Sequence, residues 1–255
     1  MDTDAQTAAS TGREASPADP AEQEDHPRRS RATAALGGLL RRPARLLAVV
    51  VVLVLLLAVF VAQPFVIPST SMENTLRTGD RVLVNKVSYR FGGTPRRGDV
   101  VVFDGTDSFV PAGAAENAVT RAVHGVGAVL GLGSDDTTFV KRVVGVGGDR
   151  VTCCDRGGRI TVNGRPLRER YLYPGNVPSS VRFDVVVPEG KLWVMGDHRA
   201  RSSDSRAHLG DPGGGMVPVD RVVGRADLIV WPPSRWTHLT RPQADDGLPA
   251  AAGRG

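Results

Sequence analysis

The sequence predicts a mainly β domain carried behind one apolar helix. Three observations carry that reading: short valine-rich runs recur between Gly, Asp and Pro; Leu46–Ala62 is a run of 17 residues without a polar side chain; and Asn163–Gly164 separates two of the valine-rich runs. Short runs of Val and Ile bounded by turn residues favour strands. At about 1.5 Å per residue the apolar run covers roughly 25 Å, near the lower limit for a hydrocarbon core of about 30 Å. Asn-Gly supplies the two positive φ angles of a type I′ hairpin turn.

Composition narrows the class. The 255 residues are 41% hydrophobic and 23% charged, too apolar for a disordered chain. A mean hydropathy of −0.13 excludes a polytopic membrane protein but not a single span. Two cysteines cannot build a disulfide scaffold, and no C-x-x-C pair is present to hold zinc.

Taken in order, residues 1–45 read as a disordered tail with a basic juxtamembrane end. All seven of its acids fall within residues 1–25, and six of its seven Arg within 26–45. Residues 46–63 are expected to form a transmembrane helix. A cleaved signal peptide fits less well: its apolar core is shorter, about 7–15 residues, and begins near the chain start. Ala62-Gln63-Pro64-Phe65 is also a poor cleavage site. Arginines before the span and mixed charges after it place the N-terminus in the cytoplasm. The localisation expected is therefore the cell membrane, single-pass, with residues 64–236 as an extracytoplasmic domain and 237–255 as a flexible tail.

That exported part holds 25 basic and 20 acidic residues and so carries the whole net charge of +5. Anionic phospholipid headgroups favour such a surface. The charge is modest and dispersed, and no nucleic-acid motif accompanies it. Strands are expected at Asp80–Val87, Asp99–Phe103, Thr138–Val146, Arg150–Cys154, Arg159–Val162, Val181–Val187, Lys191–Met195 and Arg221–Trp231. Between Ala114 and Leu132 apolar residues repeat at helical spacing.

The candidate chemistry does not follow the usual histidine. His26 lies in the tail, His124 on the expected helix and His238 near the C-terminus. His198 and His208 flank a loop rich in Ser, Asp and Arg, but no G-x-S-x-G supplies a matching nucleophile. H-E-x-x-H, the P-loop and G-x-G-x-x-G are absent.

The informative segment follows the apolar run: Gln63-Pro-Phe-Val-Ile-Pro-Ser-Thr-Ser-Met-Glu-Asn-Thr-Leu76. It resembles the serine box of bacterial type I signal peptidases, P-S-x-S-M-x-P-T-L, matching at Pro68, Ser69, Ser71, Met72, Thr75 and Leu76 and departing at Asn74. Thr78–Lys86 resembles the strand after the nucleophile. Val140–Val151 resembles the lysine box, K-R-x-x-G-x-P-G-D, with Gly147 where proline is common. Val194–Arg206 resembles G-D-N-x-x-x-S-x-D-S-R, with His198 in place of asparagine. Four blocks occur in the family's order across residues 63–206.

The resemblance implies an antiparallel β-sheet catalytic domain with a small β insertion lobe at about 149–192. It implies Ser71 as nucleophile, Lys141 as general base, Ser69 in the oxyanion hole and Ser202 as the group that orients Lys141. Phe65, Ile67, Pro68, Met72 and Val140 match pocket-lining positions, and Arg142, Asp197, Asp204 and Arg206 match a supporting ionic scaffold. The implied substrates are signal peptides of exported preproteins with small residues at −3 and −1. The implied partners are the phospholipid membrane and the secretion translocon, with no cofactor and no metal.

A lysine base needs a special setting, because a free lysine titrates near 10.4 and stays protonated at neutral pH. Burial disfavours the ammonium, by as much as roughly 3–5 pH units in extreme cases. The apolar strand Phe139-Val-Lys-Arg-Val-Val144 offers such burial, with Arg142 on the opposite face. For the adjacent Cys153 and Cys154 a vicinal disulfide is strained, so two thiols or an intermolecular bridge remain open. The competing readings are a catalytically silent envelope-binding protein of the same fold and a self-cleaving repressor-type Ser–Lys protease. Retention of Ser69, Ser71, Lys141 and Ser202 opposes the first, and the N-terminal apolar run opposes the second.

Overall fold

The computed structural model describes residues 43, 45–56, 60–90, 92–110 and 137–241. The chain divides into two units, Met1–Ala48 and Val49–Gly255. Residues 45–56 are helical, and the ten large apolar side chains from Leu46 to Leu56 are each 44–67% exposed. Among the described residues no helix is long and apolar enough to cross a membrane. Leu57, Ala58 and Val59, inside the expected span, lie outside the described residues, as does the helix expected at 114–132.

The larger unit is mainly antiparallel β. Its main sheet holds β1 (Ala62–Val66), β2 (Arg81–Asn85), β3 (Val100–Asp104), β4 (Thr138–Val146), β9 (Lys191–Met195), β10 (Val217–Pro218), β11 (Val222–Trp231) and β12 (Thr237–His238). The order is β1-β2-β11-β3-β4-β9-β10, with β12 added to β11. β4 and β9 occupy the expected residues. β2 and β3 start one residue late because Asp80 and Asp99 turn the chain instead of extending it. Their carboxylates accept the main-chain N–H groups of Arg77 (2.8 Å) and Arg96 (3.0 Å).

β1 departs from expectation in starting at Ala62, within the apolar run, where Ala62 pairs with Asn85 and Gln63 with Val84. Pro64 has no N–H to donate, and it sits on this edge strand, where proline is tolerated.

A second sheet, β7-β6-β5-β8, falls inside the expected insertion lobe. It comprises β5 (Arg150–Cys153), β6 (Thr161–Val162), β7 (Arg165–Pro166) and β8 (Phe183–Val186). β6 and β7 are joined through Asn163 (φ 53°) and Gly164 (φ 77°), the two positive angles that the Asn-Gly pair predicts. Cys153 and Cys154 are bonded to each other, which overturns both alternatives expected from the sequence, two thiols or an intermolecular bridge.

β3 is buried on both faces, hence its continuous run of apolar residues rather than an alternation. Val100 and Val102 join Phe65, Met72, Leu76 and Val140 in one core cluster. Val101 and Phe103 join Phe109, Val143 and Val194 in another. A third cluster, around Trp193, Ile160 and Val151, fills the lobe side.

The expected C-terminal tail is anchored at its start. β12 pairs with β11, the Leu239 N–H donates to Asp227 O at 2.9 Å, and Arg241 binds the buried carboxylate of Asp99. Its polar composition concealed these three contacts; residues 242–255 lie outside the described residues.

Trp193 is fully buried, and its indole N–H is buried without a hydrogen-bond partner among the described residues. Trp193→Ala should therefore cost about 3–5 kcal/mol in urea denaturation. Trp193→Phe, which removes the unpartnered N–H and keeps most of the apolar volume, should cost less than half of that. Equal losses for the two variants would contradict this account of the core.

Candidate active site

Ser71 lies in a loop stapled at its base. The Ile67 N–H donates to Asp80 O at 2.8 Å and the Gly79 N–H to Ile67 O at 2.9 Å. Gly79 has φ of +88°, a conformation that disfavours any side chain. Within the loop the Leu76 N–H donates to Met72 O at 2.8 Å, forming one tight turn. Met72 and Leu76 sink into the core, and a fork of two 2.9 Å bonds from Arg235 fixes the Asp80 carboxylate. Ser71 is thus carried by a turn anchored at both ends.

Lys141 comes from the middle of β4, opposite Val101 of β3. Its Nζ lies 2.8 Å from Ser71 Oγ, and Ser69 Oγ lies 3.1 Å from the same oxygen. Ser71 and Lys141 are both buried, at 5% and 4% exposure, while Ser69 is exposed. Two residues 70 apart in sequence are therefore within hydrogen-bond distance.

The neighbouring charges are paired. Arg142 grips Asp197 through Nε–Oδ1 (2.8 Å) and Nη2–Oδ2 (2.6 Å), and donates to Gly98 O at 2.8 Å. Thr75 Oγ1 donates to Asp197 Oδ2 at 2.5 Å, and the Arg142 guanidinium lies 4.1 Å from the centroid of the Tyr171 ring. Arg206 holds Asp204 through two 2.8 Å bonds, and Arg199 pairs with Glu169. The expected scaffold of Arg142, Asp197, Asp204 and Arg206 is assembled as two separate forks.

Lys141 makes no ion pair among the described residues. Burial pulls its ammonium down from 10.5 to about 8, against an upward pull from the Asp204 and Asp197 carboxylates. For Arg142 burial again opposes the charge, but Asp197 outweighs it and holds the guanidinium above its ordinary value. For Asp204 burial favours the neutral acid, yet Arg206 and the Gly196 N–H hold the carboxyl below its ordinary range. At neutral pH Arg142 and Asp204 stay charged, and Lys141 can lose its proton.

Gly196, just after β9, lets these parts close. A Cβ there would stand 2.5 Å from Ser71 O and 2.3 Å from Ser202 Oγ. The next two residues continue the contact, since the His198 N–H donates to Ser71 O at 3.0 Å. His198 occupies the position where the resemblance expects asparagine. Its ring stacks on Tyr173, 4.0 Å between centroids, and its Nδ1 lies 3.2 Å from Glu73 Oε2.

The other expected residues are placed unevenly. Ser202 Oγ is buried beside Gly196 and helps hold the Asp204 carboxyl below its ordinary range, but it forms no hydrogen bond with Lys141. Phe65, Ile67, Met72 and Val140 share one core cluster, with Ile67 and Met72 only 2% and 1% exposed, whereas Pro68 is open to solvent. Thr75, Gly196, Tyr171 and Glu169 were given no role from the sequence; each acts on a residue far along the chain, and spacing carries no such signal. Among the described residues no group of three or more His, Cys, Asp or Glu is placed to hold a metal ion.

Comparison with known proteins identifies the family. Residues 40–231 match the family described as signal peptidase, peptidase S26. The Signal peptidase I of Mycobacterium tuberculosis (strain ATCC 25618 / H37Rv) is 44% identical over 220 residues, covering 77% of this chain and 74% of its own. The probable signal peptidase I of Mycobacterium leprae (strain TN) is 42% identical over 207 residues, covering 69% and 71%. The Signal peptidase I of Leptolyngbya laminosa is 35% identical over 192 residues, covering 75% and 80%.

Removing one partner of a buried ion pair strands the other charge. Asp197→Ala leaves Arg142, 3% exposed, without its carboxylate, and should lower the unfolding free energy by about 3–5 kcal/mol. A urea midpoint equal to that of the unchanged protein would show that the fork does not support the site.

Proposed function

The protein belongs to the signal peptidase family, peptidase S26, and is a serine endopeptidase; from this and the site we infer that it removes signal peptides from exported preproteins with a Ser71–Lys141 dyad. The observation that carries the dyad is the 2.8 Å approach of Lys141 Nζ to Ser71 Oγ in a buried setting. In the reactive form neutral Lys141 accepts the Ser71 proton as Oγ attacks the scissile carbonyl, then passes that proton to the leaving amine. Ser69 Oγ, 3.1 Å from the nucleophile, and the Ser71 N–H are assigned as donors to the oxyanion. Ser202, whose buried hydroxyl sits beside Gly196 and acts on the Asp204 carboxylate, is assigned to steady Lys141 once substrate binds.

The peptide is read as adding to the sheet. β1 is an edge strand, and β4 pairs with β9 only from Arg142 onward, which leaves Phe139–Lys141 without a partner on that side. An extended substrate gains main-chain hydrogen bonds there, and small pockets select alternate side chains. Pro68 and the exposed margins of Phe65 and Val140 shape those pockets, with Ile67 and Met72 behind them. This arrangement suits small residues at −3 and −1.

We place the protein at the cell membrane, with the N-terminus cytoplasmic and the catalytic unit on the far side. The apolar side chains of residues 46–56, exposed along their helix, support this reading, because hydrocarbon is a better solvent for them than water. The six arginines at 28–45 set the orientation. The phospholipid bilayer and a secretion translocon are the partners that follow.

Cleavage of a preprotein with Ala-x-Ala before the scissile bond, by the full chain in detergent, tests the dyad. Ser71→Ala and Lys141→Ala should each lower kcat by at least about 10³-fold; full activity in either variant would sink the assignment. The pH dependence follows from the sign of the shift. Only neutral Lys141 can accept the proton, so kcat/KM should rise through about pH 8 and fall about tenfold per unit below it. A profile flat from pH 6 to 9.5 would exclude Lys141 as the base.

A further inference from the structure

Outside the dyad, one cluster places a hydroxyl, an imidazole and a carboxylate in hydrogen-bonded order. Ser203 Oγ lies 3.0 Å from His208 Nε2, and His208 Nδ1 lies 2.7 Å from Asp211 Oδ2. We propose that Ser203, His208 and Asp211 form a second nucleophilic site, which accepts acyl or phosphonyl groups from activated esters.

The arrangement has the division of labour that activates a serine. Asp211 on Nδ1 fixes the tautomer with the proton on that nitrogen, so Nε2 is left as the acceptor facing Ser203. The imidazole is also held in plane. It stacks on Phe109 with 4.4 Å between centroids and 11° between planes. Phe109 is itself locked edge-on to Phe103 and Phe139 in the core, at 5.3 Å from each. The imidazole is 15% exposed and the carboxylate 50% exposed, while Ser203, the last member of the hydrogen-bonded series, is open to solvent. An electrophile can therefore reach the hydroxyl without passing the dyad.

The step balances simply. Ser203 Oγ bonds to the acyl carbon or the phosphonyl phosphorus as its proton moves to His208 Nε2; the C–O or P–F bond breaks, and the imidazolium gives that proton up to the departing alkoxide or phenoxide, or to water as fluoride leaves. Water repeats the path to release the acid. A positioned general base contributes about 10²–10⁴-fold. No oxyanion donor is assigned at this site, so its substrates are activated esters and phosphonyl fluorides rather than peptide bonds. The two nucleophilic sites differ in their base, a buried lysine in one and a partly exposed imidazole in the other.

The test uses the full chain in detergent with Ser71→Ala, which removes the dyad nucleophile. An alkyl fluorophosphonate should add one adduct, mapped by peptide mass to Ser203. His208→Gln should slow that labelling at least about 100-fold and Asp211→Asn about tenfold, with thermal melts confirming that each variant is folded. Ser203→Ala in the otherwise unchanged protein should keep signal-peptide cleavage within twofold and lose the adduct. Absence of a Ser203 adduct, under conditions that fully label chymotrypsin, overturns the proposal. So does labelling at the same rate in His208→Gln, since Ser203 is then only an exposed serine. If His208→Gln fails to fold, the half-exposed Asp211→Asn decides between the same outcomes.

Discussion

The site depends on one buried ammonium that is left without a carboxylate. Four cationic side chains, Lys141, Arg142, Arg199 and Arg206, are buried around the proposed site. The three arginines take Asp197, Glu169 and Asp204, and Lys141 is left with the Ser71 hydroxyl. The choice of residue type follows from this. An arginine cannot lose its proton in a protein and presents a flat fork that suits a carboxylate, whereas a buried lysine deprotonates. Exchanging the two types would remove either the ionic forks or the proposed base.

A polar cluster of this kind survives in a core only when its members are satisfied. Asp197 accepts from Arg142 and Thr75, and Asp204 from Arg206 and the Gly196 N–H. These bonds connect the nucleophile loop, β4 and the turn after β9. Gly196 sets how closely they meet, since its missing Cβ is the space that Ser71 O and Ser202 Oγ occupy. The network holds Lys141 against Ser71 from three directions. It also keeps the carboxylates engaged by groups other than the lysine.

Much of this was legible in the sequence, for identifiable reasons. Strands such as Thr138–Val146 and Lys191–Met195 announce themselves because valine-rich runs end at Gly, Asp or Pro, and Asn163–Gly164 because few other pairs accept two positive φ angles. Ser71 and Lys141 were found through the order of four sequence blocks and not through spacing. Hidden features share one trait, a contact between residues far apart in the chain. Arg235 on Asp80 spans 155 residues, Arg241 on Asp99 spans 142, and Thr75 on Asp197 spans 122. The Ser203–His208–Asp211 chain is the opposite case. Its members lie within nine residues, yet only side-chain direction distinguishes a relay from a polar loop.

Chain length links the site to the proposed membrane anchor. Ala62, the last residue of the apolar run, is also the first of β1, and Ser71 follows nine residues later. A chain spans at most about 3.3–3.6 Å per residue, so Ser71 stands no more than about 32 Å from that point. The stapled loop at Ile67–Asp80 shortens this reach further. With the run embedded, the nucleophile works within one small-domain diameter of the bilayer surface. A signal peptide held in the same bilayer presents its cleavage site in that shell, so tethering raises its effective concentration without any added contact. The edge strand that would receive the peptide is the first structure after the anchor, and the register of β1 on β2 then governs both the distance to the membrane and the placement of Ser71.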